Sequence, residues 1–166
     1  MMKGQHMKII KNILWWLLTV LLTVLILLPI LLYTGIVIAN NCIADSIEKD
    51  LRAIELPENT RLVESVSIAG KMFGNGNGMQ YIGVILVESD MSPEELEEYY
   101  TTHGKSVGEY ISVRKQDNPD WLGVHTFQHF DGAGNYYAID CMKTNMSHYT
   151  DSGFLWELLD LDLRGH

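Results

Sequence analysis

His125, Phe127 and His129 stand at alternate positions, and Asp131 follows two residues later. On an extended strand that spacing places the three side chains on one face. Two imidazoles with a carboxylate close by are the beginning of a zinc or other divalent-metal site. A complete site needs a further firm ligand, and only folding would bring His103 or His148 near. The simpler reading is a solvated sheet face carrying polar side chains. Cys42 and Cys141 offer a second chemistry. Joined, they would close a loop of about 100 residues and contribute about 4–5 kcal/mol through unfolded-state entropy. Unjoined, Cys141 alternates with Tyr137 and Ile139 on a buried strand face, and Cys42 stays a free thiol. Only geometry decides between the two.

Glycine spacing raises a third possibility, at Gly74-Asn75-Gly76-Asn77-Gly78. A dinucleotide-binding loop requires a helix after it, whose N-terminus meets the phosphates. Here the apolar run Tyr81-Ile82-Gly83-Val84-Ile85-Leu86-Val87 follows, which reads as a central strand, and no Lys follows Gly78 as a Walker loop demands. Asn-Gly steps supply the positive φ of tight hairpins, so the run is a turn between strands at residues 62–72 and 79–88. As an exposed tip on a rigid sheet, it is also the first candidate for contact with a partner. No nucleophile elbow, metalloprotease helix motif or Cys–His–Asn pattern occurs. The acidic pairs are accounted for by caps and turns, and Glu88 and Asp90 lack the spacing of a calcium loop. Asn145-Met146-Ser147 is a glycosylation sequon, meaningful only where the host glycosylates exported proteins.

The elements that must position these residues follow from periodicity and punctuation. Ile43, Ile47, Leu51 and Ile54 form a helical stripe over residues 40–57, before Pro57, and its expected role is to pack on a sheet. This helix either continues the preceding apolar segment or breaks at Asn40-Asn41. Ser92-Pro93-Glu94-Glu95 combines a capping residue, a proline at the first helical position and a glutamate that closes a capping box. The helix it opens should end at His103, before Gly104. Further strands are expected at 109–115, 122–130 and 136–143, the last two joined as a hairpin through Asp131-Gly132-Ala133-Gly134-Asn135. A short helix over 153–161 closes the chain. The order α-β-β-α-β-β-β-α predicts an α+β domain at 58–166, an antiparallel sheet of about five strands with two to three helices against one face.

Ahead of that domain, residues 13–39 contain no charged side chain. As a helix they would measure about 40 Å, more than the roughly 30 Å of a bilayer's hydrocarbon core. Trp15 and Trp16 at one end and Tyr33 towards the other are spaced to reach both interfaces. Pro29 falls inside the span, and Thr19 and Thr23 read as residues bonding their own backbone rather than a helix partner. A cleavable signal peptide ending at Val37-Ile38-Ala39 is the rival reading, but its apolar core would be shorter than this one. Asn40 and Asn41 before Cys42 exclude a lipoprotein signal.

The net charge of −9 over 166 residues divides unevenly. Lys3, Lys8 and Lys11 give residues 1–12 a charge of +3, whereas all 21 acidic residues lie beyond position 40. Basic residues beside a span stay in the cytoplasm, so the tail is expected inside and the domain outside. So acidic a domain disfavours nucleic acid and tight docking on anionic lipid. The Gly74–Gly78 run with Met79-Gln80-Tyr81, its apolar strand and the following helix with paired glutamates resembles a group of uncharacterised single-span membrane proteins of anaerobic Gram-positive bacteria. The likeness covers about residues 43–103. It implies a host in which the sequon is irrelevant and a disulfide less expected, and it carries no activity. The reading is a single-pass cell-membrane protein held in lipid by residues 13–39. Its outer domain would be a non-catalytic accessory or binding module, without cofactor, that meets another membrane or envelope protein. The alternatives are a divalent-metal-binding domain or metal-dependent enzyme using His125 and His129, and a secreted domain released by cleavage.

Overall fold

The computed structural model describes residues 2–72, 78–104, 110–144 and 158–164. Gly74 to Asn77 of the proposed contact loop, the sequon, His148 and the first part of the expected last helix lie outside them. The chain divides into two compact units, Met1–Ile36 and Val37–His166. Helix α1 (Met2–Arg52) runs through Pro29 without ending, and in the first unit its apolar side chains from Met7 to Tyr33 are exposed on every side. Helix α1 is long and apolar enough to cross a membrane. Trp15, Trp16 and Tyr33 are among its exposed residues. The hydroxyls of Thr19 and Thr23 donate to the carbonyls of Trp15 and Thr19, each at 2.8 Å, so they bond their own helix as expected.

The second unit is α+β. Strands β1 (Thr60–Gly70), β2 (Gln80–Ser89), β3 (Tyr110–Gln116) and β6 (Tyr136–Thr144) form one antiparallel sheet in the order β1-β2-β6-β3. Because β6 lies between them and is antiparallel to both, β2 and β3 run parallel, and α2 (Pro93–His103) connects them as a split β-α-β unit. The expected capping box is formed: Ser92 Oγ accepts from the backbone N–H of Glu95, and the Glu95 carboxylate accepts from the backbone N–H of Ser92. Strand β2 is buried from Tyr81 to Val87, as its apolar run demands, because both sheet faces are covered.

One face carries the two helices. Ala44, Ile47 and Leu51 of α1 and Leu96 and Tyr100 of α2 pack with Tyr81, Ile85, Val87, Tyr137, Ile139 and Cys141 of the sheet. The stripe from Ile43 to Ile54 therefore does pack on the sheet, and α1 continues through Asn40-Asn41 rather than breaking there. The approach is close at one point: a Cβ added to Gly83 would stand 2.6 Å from the Glu48 amide nitrogen and 2.7 Å from its Cα.

On the opposite face Ile82, Val84, Leu86, Tyr136 and Ala138 are covered by Trp121 and Phe127. This corrects the strand expected at 122–130. The segment is instead a tight hairpin of two short strands, β4 (Asp120–Trp121) and β5 (His125–Thr126), that forms its own small sheet. The turn has positive φ at both central residues, Leu122 (54°) and Gly123 (71°), and Val124 N–H donates to the Trp121 carbonyl at 3.0 Å. Such a turn reverses the chain where the β-forming residues alone would extend it. Consequently 125–130 does not pair with β6, whose neighbours are β2 and β3, and the main sheet has four strands.

Candidate functional site

The two histidines that open the metal reading do sit together, but they face a carboxylate that periodicity alone does not single out. Strand β1 carries a β-bulge between Leu62 and Glu64, opposite Val87 and Leu86. A bulge places an extra residue in one strand and re-aims the side chain that follows. Here it directs Glu64 to the face that the 120–130 segment crosses. One Glu64 oxygen accepts the backbone N–H groups of Gln128 (2.8 Å) and His129 (3.0 Å) and lies 3.2 Å from His129 Nδ1. Its other oxygen lies 3.3 Å from His125 Nε2.

Burial raises the proton affinity of Glu64, but the backbone N–H of His129, both imidazoles and the Gln128 N–H outweigh it and hold the carboxyl below its ordinary value. The arrangement is a clamp that fixes the hairpin to β1. Asp131 is engaged elsewhere, accepting from Tyr136 Oη at 2.6 Å and from the Ala133 N–H at 2.9 Å. His103 Nδ1 lies 2.8 Å from the Tyr99 carbonyl. Among the described residues no group of three or more His, Cys, Asp or Glu side chains is placed to hold a metal ion.

Both cysteines are free, Cys42 exposed and Cys141 buried. Burial pushes the Cys141 thiol up to about 11, which leaves it protonated and inert at neutral pH. Of the proposed contact loop, only Gly78 is described.

A second polar group passes unnoticed in the sequence because it ends the membrane-like run. Asn40 is fully buried. Its amide donates to Asp162 Oδ2 (2.9 Å) and to the Leu159 carbonyl (3.1 Å), and its oxygen accepts from Tyr81 Oη at 2.9 Å. Arg164 brackets Asp162 through Nε and Nη2 and donates from Nη1 to Asn41 Oδ1 at 2.7 Å. Burial opposes ionisation of Asp162, but the bonds from Arg164 and Asn40 prevail and lower its pKa. Burial, with Asp160 and Asp162 adding their charges, pushes Tyr81 up to about 12. This network binds the 158–164 segment to α1.

A third polar group lies in a pocket. Ile82, Arg114, Trp121, Leu122, Asp140 and Met142 line a recess of about 380 Å³ between the hairpin and the sheet face. Asp140 sits mid-strand on β6, opposite Val84 on one side and Ser112 on the other, and is only 9% exposed. Arg114 Nε stands 3.4 Å from its Oδ1, an ion pair without hydrogen-bond geometry, and that oxygen has no hydrogen-bond partner among the described residues. Burial pushes the Asp140 carboxyl above its ordinary range, and Arg114 and the Ser112 hydroxyl only partly offset this. None of the six lining residues is a serine, cysteine or histidine. An apolar recess with a few convergent polar groups and a perturbed carboxyl has the anatomy of a small-molecule site. The sequence signal was an aspartate in the middle of the otherwise apolar Tyr136–Met142 run. No protein-family model, curated protein or solved structure matches the chain.

Proposed function

We propose that the chain is a single-span cell-membrane protein, N-terminus in the cytoplasm, that presents a non-catalytic binding domain outside, where it meets another membrane or envelope protein. The observation that carries this reading is the exposure of apolar side chains on every side of α1 from Met7 to Tyr33, whereas the second unit packs two buried apolar clusters. Such a helix is at home only in hydrocarbon or against other apolar surface. The +3 tail supports the orientation, and the acidic outer unit favours a protein partner over lipid or nucleic acid.

Cys42 supplies the topology test, because it is exposed while Cys141 is buried. A membrane-impermeant maleimide applied to intact cells should label the full-length protein once, and Cys42→Ser should abolish the label. Labelling only after lysis would invert the orientation. A mature mass short of the first 39 residues would replace the anchor with a secreted domain. In-cell cross-linking followed by mass spectrometry tests the partner: one stoichiometric membrane or envelope protein is expected, and recovery of the chain alone refutes that part.

A further inference from the structure

The pocket between the β4–β5 hairpin and the β2-β6-β3 face is built around two opposite charges that differ in how far they reach solvent. The Asp140 side chain is 12% exposed and the Arg114 side chain 47%. Asp140 cannot leave, since it is anchored mid-strand between Val84 and Ser112. Its Oδ1 has charge compensation from Arg114 Nε but, among the described residues, no hydrogen-bond donor. A buried acceptor left without a donor is costly, and natural folds retain few of them. An ammonium group, with three donors, would satisfy it.

The guanidinium has a complementary need. Its Nε is turned towards Asp140, and a guanidinium carries five N–H donors in a planar fork that matches a carboxylate. A simple organic cation in the recess would lie against Arg114, and a simple anion against Asp140. A molecule bearing ammonium and carboxylate on one carbon meets both. The rest of the wall, Ile82, Trp121, Leu122 and Met142, is apolar. The volume, about 380 Å³, stands at the small end of ligand pockets.

We infer that this recess binds a free α-amino acid with an apolar side chain, its ammonium on Asp140, its carboxylate on Arg114 and its side chain against Ile82, Trp121 and Met142. The inference needs only the Val37–His166 unit and stands whether or not a protein partner exists.

The test uses the full-length protein in detergent micelles with three probes: L-leucine, 3-methylbutylamine, which lacks the carboxylate, and 4-methylpentanoate, which lacks the amine. Leucine should raise the melting temperature and give a saturable calorimetric isotherm. Each half-molecule should bind at least ~10-fold more weakly. Asp140→Asn and Arg114→Gln should each weaken leucine by at least ~10-fold while the unliganded melting curve stays cooperative. Arg114 is half-exposed, so its variant keeps the inference testable should Asp140→Asn fail to fold. Three results would overturn it: no leucine binding, amine binding as tight as leucine's with Arg114→Gln silent, or leucine binding unchanged in both variants.

Discussion

Gly83→Ala separates two physical effects by sign. Within a strand, glycine is worse than alanine by roughly 0.5–1 kcal/mol, so backbone entropy alone predicts a more stable protein. The packing predicts the opposite. The new methyl would lie 2.6 Å from the Glu48 nitrogen, 2.7 Å from its Cα and 2.9 Å from the Ile47 carbonyl carbon, all backbone atoms of α1. No rotamer change can move them. Ordinary contact begins near 3.4 Å, so the helix must retreat by about 0.8 Å. A gap of that size forfeits about a quarter to a half of each dispersion contact it opens, and Ala44, Ile47 and Leu51 all pack across it. With overpacking strain of about 1–3 kcal/mol, the net loss should be about 3 kcal/mol, and Tm should fall by about 10 °C. Far-UV circular dichroism of the full-length protein in detergent, by heat and by urea, measures it. A double-mutant cycle with Ile47→Ala should be non-additive, because the first change already lifts that side chain. A neutral or stabilised Gly83→Ala would refute the close packing of α1 on β2.

Other substitutions probe the polar groups. Glu64→Ala should cost about 2 kcal/mol at neutral pH and loosen the 125–129 segment, seen as faster amide exchange at Gln128 and His129. Because the folded Glu64 pKa lies below its ordinary 4.5, its contribution is complete above that value and disappears as pH falls through the folded one. The stability gap between wild type and variant should close over that acid range, and a gap independent of pH would disprove the clamp. Asn40→Ala takes the acceptor from Tyr81 Oη and one of the donors from Asp162 and should cost about 2–4 kcal/mol, with earlier proteolysis at the C-terminal segment. Tyr100 Oη is buried without a hydrogen-bond partner among the described residues, and burial pushes its pKa up to about 12. Tyr100→Phe should therefore raise stability by about 1 kcal/mol, and a loss in urea melts would show that the hydroxyl is satisfied.

Much of this fold was legible in the sequence because each signal was local. Ser92 to Glu95 carry a complete helix start, the stripe from Ile43 to Ile54 has one periodicity, and Tyr81–Val87 is apolar throughout because both of its faces are covered. The error at 122–130 is equally physical. Val124, Thr126, Phe127 and Phe130 favour strand, yet Gly123 within the run marks a turn, and Leu122 adopts positive φ against its own preference. Trp121 and Phe127 gain burial on the sheet face by that reversal, so tertiary packing overrides propensity. His125 and His129 stayed neighbours for a reason that alternation could not supply: Glu64, 61 positions from His125, arrives through a bulge. Non-local partners of this kind have no footprint in spacing.

What distinguishes structural from functional polar groups here is whether the fold satisfies them. Asn40 meets donors and acceptors at every turn, and Glu64 accepts backbone N–H groups on one oxygen and faces imidazole on both, so each is accounted for by the architecture it holds together. Among the described residues two buried side-chain oxygens are not, Tyr100 Oη and Asp140 Oδ1. They differ in surroundings. Tyr100 lies within the apolar cluster beneath the helices, where a ligand has no role and phenylalanine should serve better. Asp140 lines a recess beside a guanidinium with donors to spare. A fold that already spends Arg114 on this carboxylate could have aligned it into a full hydrogen bond. Leaving the pair 3.4 Å apart keeps both groups available, and availability has value only if something enters. The contrast is itself measurable: Tyr100→Phe should raise stability and leave leucine binding intact, whereas Arg114→Gln should weaken leucine binding by at least ~10-fold while the unliganded protein still unfolds cooperatively.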